Sequence, residues 1–224
     1  MANDSAYLPT LLFCTSYMEA ESAWLHRYRP WVDYHQTLPL RREATFMLDD
    51  ASPYLPSDDR IAVSHALPPA LDARIRLYRF DDHLGNRRHI GWWRSFLFAL
   101  RIAREYGLRK IIHVESDAYL LSQRIVDYVT DLQHGWTVLW CPLYQIPEAG
   151  IQIIAEDQFA ALQRFAEADL REVARALAEK SLPFTHVEKG FYGDRYGEYR
   201  SRIPFTADYA CQVHAARMTP VYRG

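Results

Sequence analysis

Glu115 and Asp117 are the two residues of this sequence whose type and spacing most clearly suggest chemistry. They follow an apolar run at 110–114, within the segment IIHVESDAYL. In an extended chain, residues i and i+2 point to the same side, so both carboxylates face one ligand. Mg²⁺ and Mn²⁺ prefer such oxygen ligands and keep other positions for water and substrate phosphates. The spacing predicts a metal site that meets a diphosphate, with a solvated acidic turn as the alternative.

The elements that must position this pair alternate between strand and helix. A clear helix at 91–107 has apolar residues at helical spacing and stops at Gly107. Another helix, at 123–132, has Ser122 as its N-cap. This alternation predicts an α/β fold with helices on both faces of a mostly parallel, Rossmann-like sheet. The apolar runs that predict strands lie at 10–18, 44–48, 74–80 and 110–114.

Other parts of the chain give weaker patterns. A helix follows the first strand, and we expect it to break near Pro30. The run GWTVLWCPLY predicts a further strand, and the segment from 150 to 170 predicts a short strand that enters a helix. From Pro183 onward the sequence is rich in Gly, Tyr and charge, with little regular periodicity.

Three of the predicted strands end in polar or acidic clusters. In open parallel sheets, ligands bind beyond the carboxyl ends of the strands. We therefore expect the clusters to converge on one edge of the sheet and to form a single polar site. The clusters are Cys14-Thr15-Ser16, Asp49-Asp50 and Glu115-Ser116-Asp117.

The run Glu115-Ser116-Asp117, placed after a buried strand and a long helix, resembles the acidic DxD motif of GT-A glycosyltransferases in a variant form. The resemblance covers roughly residues 10–132 and weakens beyond them. It implies one GT-A-like domain over 1–224, with a nucleotide-sugar-binding half at about 1–132 and an acceptor-side half at about 133–224. It also implies transfer of a sugar from a UDP- or GDP-sugar to a glycan or lipid-linked acceptor.

The resemblance further implies roles for single residues. Asp117 would bind Mn²⁺ or Mg²⁺, and Glu115 would approach the ribose or metal-bound water. A histidine near the C-terminus often completes the metal site in this class, and His214 is the matching residue. The base and ribose would lie at the first two strand ends, and the diphosphate at arginines that begin the long helix. The residues predicted to bind the donor are Thr15, Ser16, Tyr17, Asp49, Asp50, Arg88, Arg94, Glu115 and Ser116.

An inverting transferase also needs a carboxylate that accepts the proton of the acceptor hydroxyl. Glu188 lies in an irregular, aromatic-rich stretch where many inverting GT-A enzymes place this base, and Asp208 is a second choice. Glu148 and Asp194 are further candidates. A retaining enzyme needs no such base, and the sequence leaves both stereochemical outcomes open.

Composition excludes several functional classes. The formal net charge is -2, whereas a general nucleic-acid binder carries a basic surplus. No run approaches the roughly 18 apolar residues of a membrane span, and the N-terminus lacks the basic region of a secretory signal. We therefore expect a soluble or at most peripheral protein. Three cysteines without paired spacing favour a reducing, cytoplasmic location: Cys14, Cys141 and Cys211.

Three alternatives use related sheets. A sugar nucleotidyltransferase would carry a Gly-rich basic loop after the first strand, but here CTSYMEAES is acidic and has no glycine. A Rossmann-type methyltransferase would need a Gly-rich turn that is missing from the required place. A non-catalytic carbohydrate- or nucleotide-binding protein on the same fold stays open.

Overall fold

Eight strands form the central sheet of the computed structural model, which describes residues 7–85, 89–200 and 202–224. These strands are β1 Thr10–Ser16, β2 Ala44–Asp49, β3 Ile61–Ser64, β4 Ile75–Arg79, β5 Lys110–Val114, β7 Trp136–Cys141, β8 Ile146–Ala155 and β9 His186–Glu188. A second, three-stranded sheet contains β6 Tyr119–Leu120, β10 Gly193–Asp194 and β11 Tyr209–Ala210.

The helices lie between these strands along the chain. They are α1 Glu21–Ala23, α2 Arg29–Thr37, α3 Ile90–Glu105, α4 Gln123–Asp131, α5 Phe159–Ala166, α6 Leu170–Val173, α7 Ala178–Ser181 and α8 Tyr196–Tyr199. A π-helical turn, Trp24–Tyr28, joins α1 to α2, and a 3-10 turn, Glu156–Gln158, precedes α5. Among the described residues, no helix combines the length and apolar character needed to cross a bilayer.

The strand order is β3-β4-β2-β1-β5-β8-β7-β9. The first five strands of this order run parallel, β8 is antiparallel to both neighbours, and β9 is parallel to β7. The predicted fold class, a mostly parallel sheet covered by helices, is therefore confirmed. Because β1 lies at the centre, its carboxyl end adjoins those of both β2 and β5.

Alternate residues of each central strand pack on opposite faces of the sheet. Leu11 and Phe13 of β1 pack in the cluster that contains α3, whereas Leu12 and Cys14 pack in the cluster that contains α2 and α4. All four side chains are fully buried. Each such side chain stabilises the fold by roughly 1.5–3 kcal/mol. This two-sided burial explains why the strand reads as a continuous apolar run.

Pro30 does not break its helix, contrary to our expectation. It lies near the start of α2, and the π-helical turn Trp24–Tyr28 comes directly before that helix. Proline has no backbone N–H and collides with the carbonyl four residues earlier. The wider turn accommodates the proline, so the chain stays helical from Glu21 to Thr37.

The C-terminal part of the chain returns to the acidic motif. The strand β11 pairs antiparallel with β6, and the backbone N–H of Val213 donates to the carbonyl of Asp117 at 2.9 Å. A third buried cluster, which includes Tyr119, Tyr196 and Met218, holds this segment in place. This segment thus packs beside the acidic motif, and its residues Tyr209 and Cys211 also join the cluster on the α2 and α4 face of the central sheet.

Candidate active site

A cleft of about 820 Å³ opens at the carboxyl ends of β1 and β5. One wall carries residues from the end of β1, from the start of α3 and from the acidic motif after β5. The opposite wall consists of the start of β8, the helix α7 and Arg195. The polar ends of two parallel strands therefore meet in one concave site, as the topology requires.

Glu115 lies at the base of this cleft and is surrounded by protein donors. Both of its carboxylate oxygens lie 3.0 Å from the hydroxyl of Thr15. The ring Nε2 of His113 lies 3.0 Å from Oε1, and the indole N–H of Trp92 donates to the same oxygen. The oxygens of Glu115 are thus already engaged, and the residue ties β1, β5 and α3 together.

The charge on Glu115 is stabilised by this environment. Burial opposes ionisation, but the charge and hydrogen bond of His113, together with the Arg27 charge and the Trp92 N–H, hold the pKa of Glu115 below its usual value. The other ring nitrogen of His113 is buried and has no partner among the described residues. A proton on that nitrogen would be an unpaired buried donor, so we place the proton that faces Glu115 on Nε2.

Asp117 is held by Arg27, a residue that the sequence analysis did not single out. The guanidinium of Arg27 lies 3.1 Å from Asp117 Oδ2, and its Nε donates to the hydroxyl of Ser116 at 2.6 Å. Burial raises the pKa of Asp117, and Arg27 acts in the opposite direction. The predicted donor residue Ser116 is fully buried and binds this arginine.

His214 lies near Asp117 but does not complete a preformed metal centre. Its exposed ring is close enough to act on the pKa of Asp117, in the lowering direction. Within residues 7–85, 89–200 and 202–224, no three His, Cys, Asp or Glu side chains form a metal-binding cluster. The residue set nevertheless suits Mg²⁺ or Mn²⁺, which bind through one or two protein carboxylates and take substrate phosphates as further ligands.

The end of β1 presents Tyr17 to the cleft. Its ring stacks on His83, with 4.2 Å between ring centroids, and Tyr28 hydrogen-bonds both its backbone N–H and its carbonyl. The neighbouring residue, Ser16, instead donates to Asp49 at 3.1 Å. The fully buried Asp49 also accepts from Ser52, so it stabilises a turn and is not open to a ligand.

Asp50 and Arg94 bind each other. Asp50 accepts from Arg94 and lies 2.8 Å from His83, which fixes the loop before α3. A Cβ on Gly91 would lie 2.1 Å from an oxygen of Asp50, so this close approach requires glycine. Arg94 lines a separate groove between α3 and α5 and not the cleft, while Asp50 does line the cleft. Arg88 lies outside the described residues.

Backbone strain is concentrated around the cleft. Among the described residues, four non-glycine residues adopt a left-handed backbone, and such residues cost of order 1–3 kcal/mol each. His89 and Gln212 line the cleft. Ala51 and Gln145 are each adjacent in sequence to a residue that lines it. Such strain accumulates where a site demands a particular backbone shape. The residues are Ala51, His89, Gln145 and Gln212.

The opposite wall contains a second pair of carboxylates. Arg195 contacts both oxygens of Glu148, at 2.6 and 3.2 Å, and reaches Glu179 at 2.7 Å. Glu148 is buried, and that burial raises its pKa, which Arg195 counteracts. The sequence analysis considered Glu148 but missed Glu179 and Arg195. Tyr144, half exposed, covers this group at the rim.

The two carboxylates predicted to act as the base do not line the cleft. Glu188, on the edge strand β9, accepts from the backbone of Gly190 at 2.6 Å. Asp208 accepts from Ser122 at 2.6 Å and pairs with Arg124, which ties the tail to the start of α4. Both side chains have structural partners, and the cleft is lined by other acids. Position in an irregular segment therefore did not indicate a side chain that lines the cleft.

Comparison with solved structures finds a crystal structure of a glycosyltransferase involved in the glycosylation of the major capsid of PBCV-1. The match covers 93% of this chain and 97% of that chain, with a TM-score of 0.50 and 10% sequence identity. This chain has the fold of a glycosyltransferase. No protein-family model matches the sequence, and the search of curated proteins finds no match. At 10% identity the likeness concerns the fold alone.

Proposed function

We propose that this protein is a GT-A-type glycosyltransferase that uses a UDP- or GDP-sugar as donor. The observation that carries the proposal is the meeting of two strand ends in one cleft, where Glu115 joins Thr15 and Asp117 adjoins them. Ligands of open α/β sheets bind beyond such strand ends. The end of β1, with the stacked ring of Tyr17, would receive the base and ribose.

We further propose that donor binding requires Mn²⁺ or Mg²⁺. The charge of the cleft supports this, because a nucleotide diphosphate would add negative charge to a cleft whose lining already carries more acids than bases. Asp117 and His214 would hold the metal, which would stabilise negative charge on the leaving diphosphate. The acidic side chains that line the cleft are Asp50, Glu115, Asp117, Glu148 and Glu179, against the basic Arg27, Lys180 and Arg195.

The opposite wall is our candidate for the acceptor side. Both oxygens of Glu148 are bound by Arg195, whereas Glu179 uses only one oxygen among the described contacts. For an inverting reaction we therefore assign proton removal from the acceptor hydroxyl to Glu179, with Glu148 fixing Arg195. A half-exposed Tyr144 at the rim offers a flat apolar surface to a sugar ring.

The acceptor in this proposal is a glycan or a lipid-linked glycan. A carbohydrate ligand suits this rim, since Leu177, like Tyr144, is exposed and lines the cleft. We place the reaction in the cytoplasm, a setting that suits three free, buried thiols.

The test is release of UDP or GDP from a panel of nucleotide sugars, with and without Mn²⁺. We expect slow release that depends on the metal, and Asp117→Asn should reduce it by about 100-fold or more because it removes the charged metal ligand. The variant should remain folded, since burial already disfavours the Asp117 charge. Asp127→Asn, on the exposed face of α4, is the matched control.

Two results would decide against this function. If no nucleotide sugar is hydrolysed and neither UDP nor GDP raises the melting temperature with Mn²⁺, the donor site is absent. If the nucleotides bind with metal but no sugar is released or transferred, the non-catalytic binding protein gains support.

A further inference from the structure

We propose that Arg27 is a donor-binding residue that neutralises Asp117 until a metal ion binds and then passes to the donor diphosphate. The inference deepens the function proposed above and depends on it. The residue is 46% exposed in its side chain and lines the cleft, so a ligand has access to it.

The first argument is the unused hydrogen-bonding capacity of Arg27. Its Nε binds Ser116 and one terminal nitrogen binds Asp117. Arginine has five N–H groups, and the second terminal nitrogen has no acceptor among the described residues. A planar guanidinium with free N–H groups beside a cleft is suited to two-point contact with a phosphate.

The second argument concerns the segment that carries Arg27. The π-helical turn Trp24–Tyr28 is an uncommon conformation that is often found at functional sites. Two buried aromatic residues, Trp24 and Tyr28, anchor the turn on either side of the exposed arginine. Tyr28 also bonds the backbone of Tyr17 at the end of β1. The side chain of Arg27 can therefore move while its backbone stays attached to the nucleotide side of the cleft.

The third argument is electrostatic. Before a metal ion binds, Arg27, 3.1 Å from Asp117 Oδ2, provides the positive charge that offsets burial of this carboxylate. A divalent cation on Asp117 would supply that charge and repel the guanidinium at short range. An incoming diphosphate offers the arginine a new acceptor at the same wall. Metal and nucleotide should therefore bind cooperatively, because each removes a cost of binding the other.

The experiment measures Mn²⁺ binding by electron paramagnetic resonance and by calorimetry, with and without saturating UDP or GDP. For the wild type we expect weak Mn²⁺ binding alone and a gain of about tenfold or more with a nucleotide, within the usual range of such coupling. In Arg27→Gln, Mn²⁺ alone should bind several-fold more tightly, and the gain from nucleotide should shrink to about threefold or less.

Two further variants make the result specific. Arg27→Lys keeps the charge but loses the planar fork, so it should restore weak Mn²⁺ binding without restoring the full gain from nucleotide. Arg29→Gln removes an exposed arginine that pairs with Asp33 on the next turn, and it should behave like the wild type. Arg27→Lys also serves as the test if Arg27→Gln does not fold.

The failure of the inference and of the proposed function are distinguishable. If the wild type binds nucleotide with Mn²⁺ but Arg27→Gln changes neither the Mn²⁺ affinity nor the coupling, Arg27 is merely structural and the inference falls. If the wild type binds no nucleotide with Mn²⁺, the proposed function falls, and with it the role of Arg27.

Discussion

Each of the two walls of the cleft places an arginine near a pair of acids, but the two arginines are held differently. On the nucleotide side, Arg27 is 46% exposed and forms an ion pair with Asp117, while Glu115 is bound by Thr15, His113 and Trp92. On the opposite side, Arg195 is 15% exposed and bonds two carboxylates at once.

This difference separates an arginine that can exchange partners from one that cannot. Removing Arg27 leaves Asp117, whose side chain is 12% exposed, at the lining of the cleft, and an ion pair with one half-exposed partner contributes less to stability than a fully buried pair. Removing Arg195 leaves Glu148, which is 1% exposed, as a buried charge without a counter-ion. The first pair is suited to binding a changing ligand, and the second to fixing one wall.

The largest effect should follow from Arg195→Met. We expect the free energy of unfolding at pH 7 to fall by about 3–5 kcal/mol, because Glu148 loses its partner in a buried position. Chemical denaturation measures this loss. Arg27→Gln should cost less than about 1 kcal/mol in the same assay. Equal losses for the two variants would contradict the comparison.

The pH dependence of the stability of Arg195→Met sharpens the result. Burial raises the pKa of Glu148 above the value of the unfolded chain, and loss of Arg195 raises it further. The folded variant then takes up a proton at a higher pH than the unfolded chain does. Its stability relative to the wild type should therefore recover as pH falls from 7 toward the ordinary range of a glutamate.

A smaller effect in free energy, but a large one in rate, is expected for Glu179→Gln. Transfer to the acceptor should fall by about 100-fold or more, as is usual when a general base is removed. Release of nucleotide without acceptor should change little, since the donor wall is intact. Product formation and nucleotide release, measured in parallel, separate the two steps. Loss of both to the same degree would assign Glu179 a structural role.

A small effect should come from Glu188→Gln. Burial opposes ionisation of Glu188, but the Gly190 N–H and His186 outweigh it and lower the pKa of Glu188. The carboxylate thus stabilises the fold above the pKa of the unfolded chain, and this contribution is lost as pH falls through the folded pKa. We expect a loss of about 1 kcal/mol at pH 7 that disappears in acid.

Activity of the same variant tests where the base lies. Transfer should stay within about twofold of the wild type, because Glu188 binds its own turn on β9. A drop of about 100-fold would return Glu188 to the role of base and remove Glu179 from it.

The sheet and long helices were predictable because their signals are local. The strand β5 begins and ends at the predicted residues, and Ser122 caps α4 as expected. Local signals also failed in two places. The edge strand β3 is short and partly exposed, and the start of β8 contains Pro147 and Glu148 opposite an irregularity in β7. Neither segment shows the continuous apolar run of a buried strand.

The partners of the site residues were harder to predict than the elements. Arg27 meets Ser116 across 89 positions of sequence, and Arg195 meets Glu148 across 47. We predicted that Asp49 and Arg94 bind the donor, but Asp49 is hydrogen-bonded to Ser16, and Arg94 is hydrogen-bonded to Asp50. A single sequence displays which side chains exist, whereas their pairing depends on how distant segments pack.

Gly91 and Gly197 define steric limits on any relative that keeps this architecture. A methyl group at 91 would overlap Asp50, and one at 197 would lie 1.5 Å from the carbonyl oxygen of Gln212. At 10% identity to a protein of the same fold, overall sequence similarity no longer identifies relatives. These two glycines, one in the lining of the cleft and one against the backbone of Gln212, offer a short sequence signature with which to recognise them.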